Sequence, residues 1–182
     1  MKKGKRVLLS FLMILAMGLM VCGFRPVQAQ AATKKVKKIQ YTSELTSKIK
    51  KNATVVKKGT TTLKVTKEGF LKFRVPATKT YTFTFSKQTE PNGNYNNGYA
   101  YIKRVRTNSY SGKQYLDSLK FKTQGGKTTS AYFNANASST PSTITTGTFI
   151  PKRSCKVKLK KGETVYLYLY FAHKGSIRLN IK

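Results

Sequence analysis

The alternation of apolar and polar residues from residue 60 onward is the feature that most constrains how this chain can fold. Across 71–75 and 81–85, every second residue is Leu, Val, Tyr or Phe, and Lys, Arg or Thr stands between them. The C-terminal runs 155–159, 165–171 and 177–181 repeat this pattern. A period of two residues is that of a half-buried strand. Because many such runs are separated by turns, with no alternating helical segments, the sequence predicts an all-β, antiparallel sandwich or barrel.

The turns between these runs contain Gly, Asn or Pro. Lys67-Glu68-Gly69 has the composition of a tight hairpin turn between two alternating runs. Further along, 99–106, 114–122 and 130–135 are predicted strands, whereas 90–98 and 136–147 are predicted loops.

The first 31 residues have the composition of a cleavable secretory signal peptide. Four cations lie within 1–6, residues 7–21 are almost wholly apolar, and small-residue cleavage patterns end at Ala29 and Ala31. The apolar run is shorter than the ~20 residues that span a bilayer. We therefore expect cleavage after Ala31, with Ala29 as the alternative, a secreted protein, and no transmembrane segment in the mature chain. Cys22 follows a faintly lipobox-like stretch and is expected to leave with the leader.

Two parts are predicted after the leader. Residues 32–58 form a basic N-terminal segment, expected to be partly flexible because its closely spaced lysines repel one another. Within it, 44–49 fits either a turn of helix or a strand. Residues 59–182 form the predicted sandwich domain.

The charge of the chain is extreme. It has 36 Lys and Arg against 5 Asp and Glu, and removing the five cations of the leader from the formal charge of +31 leaves +26. Such a charge bears on partners and association rates and not on the fold. It favours polyanionic surroundings, namely cell-wall polymers, acidic glycans, phospholipid surfaces or nucleic acid.

The residue inventory argues against catalysis. His173 is the single histidine, no G-x-S-x-G motif is present, and the few acids include Glu68 and Glu163, which fall in predicted turns. One histidine and one cysteine of the mature chain, Cys155, do not make a zinc site. Cys155 lies in an alternating run and is expected to be a small core residue. We expect no enzyme, no metal and no cofactor.

Three stretches resemble a known family. The stretch 69–83, GFLKFRVPATKTYTF, resembles the first half of a bacterial pre-peptidase C-terminal (PPC) domain, although Lys79 stands where that family often has Gly. The stretch 157–169 is similar to its late hairpin, and 175–181 to its last strand. The resemblance implies a secreted, jelly-roll-like β-sandwich without catalysis. Such domains usually accompany exported enzymes, and some are thought to aid attachment to surfaces.

A candidate binding surface follows from the C-terminal runs. If these strands are neighbours, a tyrosine stripe lies between basic rows on one face, where rings stack on sugars or bases and cations meet phosphate, sulfate or carboxylate. The competing interpretation is that strand propensity alone explains the pattern. The predicted surface consists of Tyr166, Tyr168, Tyr170, Lys156, Lys158, Lys160 and Arg178.

Two functions remain open on the sequence. The first is a secreted, non-catalytic binding or adhesion module for an anionic cell-wall polymer or acidic glycan. The second is a structural or accessory protein of the envelope or matrix that acts through protein contacts. Specific nucleic-acid binding is not expected, because no known binding motif is present.

Overall fold

The computed structural model describes residues 31–89, 95–123, 126–136 and 152–182. The predicted leader lies outside these residues except for Ala31, and so does the predicted loop 136–147 except for Asn136. In chain order the described elements are β1 (Ala32–Lys35), α1 (Ser47–Asn52), β2 (Thr54–Val56), β3 (Gly59–Val65), β4 (Glu68–Arg74), β5 (Lys79–Thr89), β6 (Tyr95–Thr107), β7 (Gln114–Ser118), β8 (Phe121–Thr123), β9 (Gly126–Thr128), β10 (Ser130–Asn136), β11 (Lys152–Leu159), β12 (Thr164–Phe171) and β13 (Gly175–Ile181).

The strands form two sheets. Sheet A has the order β1-β3-β13-β5-β11-β8-β9, and sheet B has the order β10-β6-β12-β4-β2, with β7 also paired to β6. Two strand pairs are parallel, β1 with β3 and β2 with β4, and the other described pairs are antiparallel.

The central strands have jelly-roll order. Consecutive strands from β3 to β6, and again from β10 to β13, alternate between the two sheets. The resulting neighbours, β3-β13-β5-β11 in one sheet and β4-β12-β6-β10 in the other, are those of two interlocked Greek keys. The prediction of an all-β, antiparallel, jelly-roll-like sandwich is confirmed.

The apolar residues of the alternating runs pack between the sheets. Phe83, Cys155 and Leu179 are fully buried, as are Leu71 and Leu167 from the facing sheet. Burying one such Leu or Phe contributes about 1.5–3 kcal/mol. The inward-facing half of each run was therefore predictable from its period alone.

Which sheet receives a strand was not predictable from that period. Lys67-Glu68-Gly69 joins β3 of sheet A to β4 of sheet B, so it connects the layers and closes no hairpin. The predicted strand 114–122 divides into β7 in sheet B and β8 in sheet A. Part of the predicted loop 90–98 belongs to β6, where its backbone pairs with β10.

The segment 32–58, predicted to be a partly flexible arm, is integrated into the sandwich. β1 pairs with β3, and Val36 enters the main core. Beyond it, Ile39, Leu45 and Ile49 cover the outer side of sheet B. The apolar contacts of these residues outweigh the repulsion between the lysines that separate them.

Two local features hold this segment in place. The Thr46 hydroxyl accepts a hydrogen bond from the Ile49 backbone N–H at 3.3 Å, which caps α1 at its N-terminus. Gly69 lets the segment cross β4 closely, because a Cβ there would collide with the Lys37 carbonyl oxygen.

Candidate functional site

The tyrosines and the cations of the predicted surface lie on different sheets. β12, which carries Tyr166, Tyr168 and Tyr170, lies between β4 and β6 in sheet B. The strands that carry Lys156 and Arg178, β11 and β13, flank β5 in sheet A. The predicted arrangement of a tyrosine stripe between basic rows is therefore corrected, because both connections to β12 cross between the sheets.

The tyrosine stripe is mostly covered. The N-terminal segment packs on it and leaves Tyr166 only 4% and Tyr168 only 3% exposed, whereas Tyr170 is half-buried. The Tyr168 ring lies 4.9 Å from the ring of Tyr41 and 5.1 Å from that of Phe70. The contact with Tyr41 fastens the segment to sheet B, and the contact with Phe70 joins β12 to β4 within that sheet. Both are structural roles for the stripe.

Glu68 completes this attachment. The Tyr168 hydroxyl donates a hydrogen bond of 2.6 Å to Glu68 Oε2, and the backbone N–H of Tyr41 donates one of 3.2 Å to the same oxygen. Burial, and then the bond to Glu68, raises the pKa of Tyr168. Glu68 thus links β12 to the segment, and it lies in β4 and not in the turn that the sequence predicts.

Lys103 is a buried cation that sequence analysis missed. Its Nζ donates to the Tyr41 hydroxyl at 3.0 Å and to Ser118 Oγ at 2.9 Å, and it lies 4.9 Å from the centre of the Tyr41 ring. Only 1% of the residue is exposed. A lysine at an outward position of a strand is normally exposed to solvent, so the sequence pattern does not predict the burial of Lys103.

The outer side of sheet A carries cations and hydroxyls, and we call it the basic face. One row of directly paired residues crosses five strands, from β11 through β5, β13 and β3 to β1, and consists of Lys152, Ser86, Arg178, Thr62 and Thr33. In another row Lys156 is the direct partner of Lys122. The cations of the basic face are Lys35, Lys64, Lys122, Lys152, Lys156, Lys158 and Arg178.

Three predicted site residues, Lys156, Lys158 and Arg178, therefore share one face. Lys156 and Lys158 are exposed, and Arg178 is half-exposed. Lys160 is exposed in the turn just after β11, at the border of this face. The strands that carry them have β5 between them, and not β12 as the sequence predicts.

The four acids in the described part of the chain lie away from the basic face. Asp117 and Glu68 belong to sheet B, Glu44 bridges to β7, and Glu163 lies in the turn between β11 and β12. Two of them pair with arginines of β6, Glu163 with Arg104 at 3.4 Å and Asp117 with Arg106 at 3.6 Å. These two ion pairs thus compensate two arginines of sheet B, and none of the described acids lies on the basic face.

Cys155 and His173 carry the thiol and the imidazole of the described residues. Burial raises the pKa of the Cys155 thiol from 9.0 to about 12, with Arg153 opposing the shift, so the thiol is protonated at neutral pH. His173 is exposed in the turn between β12 and β13. Within the described ranges, no three His, Cys, Asp or Glu residues lie close enough together to hold a metal ion.

A membrane-spanning helix needs a minimum length and hydropathy. Of the residues placed by the structure, none belongs to a helix long and apolar enough to cross a bilayer.

Comparison of the chain with protein-family models and with curated proteins finds no match.

Proposed function

We propose that this protein is a secreted, non-catalytic module that attaches to an anionic cell-wall polymer or acidic glycan through its basic face. The observation that carries the proposal is the charge separation within the described residues. The seven cations of the basic face share one outer side of sheet A, and the described acids lie elsewhere.

The spacing of the basic face suits a repeating polyanion. Same-side residues on one strand are about 6.8 Å apart, and neighbouring strands are about 4.8 Å apart. Lys156 and Lys158 therefore follow one strand, and Arg178 lies two strands away. A rigid lattice of charges at these distances meets successive phosphates, sulfates or carboxylates of a polymer without reordering the backbone.

Hydroxyl groups fill the positions between the cations. Ser86 of β5 lies between Lys152 of β11 and Arg178 of β13. On the same side of β5, Thr80 and Thr82 are the direct partners of Lys158 and Lys156. A hydroxyl both donates and accepts hydrogen bonds, as the hydroxyls of a sugar or polyol do. The basic face thus offers charge and neutral hydrogen-bonding groups in the combination that an acidic glycan presents.

The location of the protein rests on its first residues. The basic start, the apolar run and the small-residue sites of 1–31 support export. The resemblance of 69–83, 157–169 and 175–181 to a PPC domain supports a role in attachment, since some such domains are thought to serve it.

The test is a charge-reversal series on the basic face. The triple variant Lys156→Glu, Lys158→Glu, Arg178→Glu removes two exposed cations and one half-exposed cation. Each cation near an anionic surface contributes about 1 kcal/mol. We expect its affinity for a purified anionic cell-wall polymer to fall at least about 100-fold. The matched control is Lys48→Glu, Lys51→Glu, Lys113→Glu, which changes the net charge equally at exposed positions of α1 and before β7. Its affinity for the polymer should fall much less.

Salt separates this proposal from its alternative. Polymer binding by the wild type should weaken steeply between 0.1 M and 1 M salt, because the Debye length shrinks from about 10 Å to about 3 Å. Equal losses in the triple variant and its control would show that net charge, and not the basic face, governs binding. Salt-insensitive self-association or protein binding would instead favour the accessory role through protein contacts.

A further inference from the structure

A cleft of about 620 Å³ opens at the outer side of sheet B, away from the strands of the basic face. It lies where α1 and β2 meet the ends of β4, β6 and β12. A cleft of this size is typical of sites for small molecules. The residues that line it are Leu45, Lys50, Val55, Lys72, Arg74, Arg104, Val105, Gln114, Glu163, Thr164 and Tyr166.

Four cations and one acid line this cleft. Lys72 and Lys50 are already adjacent, since Lys72 Nζ donates to the Lys50 carbonyl oxygen at 3.0 Å. Arg104 contacts the acid, Glu163, through one guanidinium nitrogen at a long 3.4 Å. Arg74 is exposed and pairs along the backbone with Thr164. The formal charge of the lining is therefore strongly positive, with arginine forks that match the oxygens of a phosphate.

Tyr166 adds a hydrogen-bond donor. Its side chain is almost fully buried yet lines the cleft, and no other described residue forms a hydrogen bond with its hydroxyl. Burial raises the pKa of Tyr166, which keeps the hydroxyl protonated and able to donate. Tyr168, its neighbour on the same side of β12, donates to Glu68 instead.

The cleft also has an apolar wall. Leu45, Val55 and Val105 line it together with the cations. Such a wall accommodates the carbon skeleton of a ligand whose charge is held elsewhere.

We propose that this cleft binds the phosphate monoester of a small sugar or polyol. Its dianion lies among Lys50, Lys72, Arg74 and Arg104, with Tyr166 as a donor, and its carbon skeleton lies against the apolar wall. The site is independent of the basic face, and its ligand is a single small molecule or the phosphorylated end of a polymer.

The test is titration of the full protein with glycerol phosphate at constant ionic strength, followed by the NMR shifts of backbone amides. We expect saturable shifts at Val105, Thr164 and Lys72. The double variant Lys50→Gln, Arg74→Gln, whose side chains are exposed, should bind at least tenfold more weakly. Tyr166→Phe, which keeps the ring, should weaken binding about two- to tenfold. The matched control Lys48→Gln, Lys113→Gln should bind within twofold of the wild type.

Glucuronate, a carboxylate of similar size, should bind at least tenfold more weakly than glycerol phosphate. The proposal is overturned by unsaturable shifts scattered over surface lysines, by equal binding of glucuronate, or by a cleft variant that binds like its control. If a polymer with a terminal phosphate monoester competes with glycerol phosphate, the natural ligand is the end of a polymer. If the polymer does not compete, the natural ligand is a free metabolite. The triple variant of the basic face should bind glycerol phosphate normally, which separates the failure of one proposal from that of the other.

Discussion

Lys156 and Lys122 lie directly opposite each other on neighbouring strands of the basic face, and both are exposed. Like charges in such a pair lower the stability of a sheet. A pair that is unfavourable for folding is expected where an external anion supplies the compensation. At the scale of single residues, this pair lowers the stability of the fold and favours the binding of an anion.

Lys156→Glu should therefore raise stability and lower affinity. It converts a like-charge pair into an opposite-charge pair, and we expect the free energy of unfolding to rise by about 0.2–1 kcal/mol. Urea denaturation measures the first effect, and polymer binding measures the second. The exposed control Lys48→Glu should leave both nearly unchanged. A Lys156→Glu variant that is less stable, or that binds polymer as the wild type does, would contradict this account.

Cys155 should be unreactive in the folded protein. Burial raises its pKa to about 12, so at pH 8 the folded protein carries almost no thiolate, whereas the thiol of the unfolded chain ionises near 9.0. The stability supplied by the protonated thiol is complete below pH 9 and falls as the pH rises from there towards 12. Labelling with a thiol reagent at pH 8 should proceed rapidly in denaturant and more than about 100-fold more slowly without it. Equal labelling rates would show that the thiol is accessible.

At the scale of elements, the N-terminal segment departs most from its sequence pattern. Ile39, Leu45 and Ile49 stand apart among lysines and polar residues, so no regular period marks them as a buried set. In the structure they cover Phe70, Tyr166 and the other aromatics of sheet B as a second, smaller core. Long-range packing of this kind leaves no local signal in the sequence.

Truncation of Ile49 tests whether this second core contributes to stability. Ile49 is fully buried, and Ile49→Ala should lower the free energy of unfolding by about 2–5 kcal/mol. The neighbouring exposed variant Lys48→Ala should stay within about 0.5 kcal/mol of the wild type. Urea denaturation of the two variants makes the comparison. A flexible arm would predict no difference between them.

The alternating runs show what could be predicted from sequence and what could not. A period of two assigned the inward residues of β4, β5, β11, β12 and β13 correctly, because it reflects the geometry of a single strand. The sheet that a strand joins depends on the whole chain. The tyrosine stripe was predicted to lie between basic rows on the condition that β11, β12 and β13 are neighbours, and β12 belongs to the other sheet. Lys156, Lys158 and Arg178 nevertheless share a face, because β11 and β13 both flank β5.

At the scale of the whole molecule, the distribution of charge matters more than its total. The described acids lie outside the basic face, and two of them pair with arginines of sheet B. The outer side of sheet A therefore stays basic. Because no described acid interrupts the cations on the outer side of sheet A, this face presents an unbroken positive field, which speeds the encounter with a polyanion. Net charge alone would attract the protein without any preferred face.

The most direct test of the basic face is a lysine acetylation footprint, read by mass spectrometry with and without an anionic cell-wall polymer. The account predicts that the polymer protects Lys152, Lys156 and Lys158 at least several-fold more than it protects Lys48, Lys51 and Lys113. Uniform protection of both groups, or protection confined to the second, would contradict the claim that the outer side of sheet A is the binding surface.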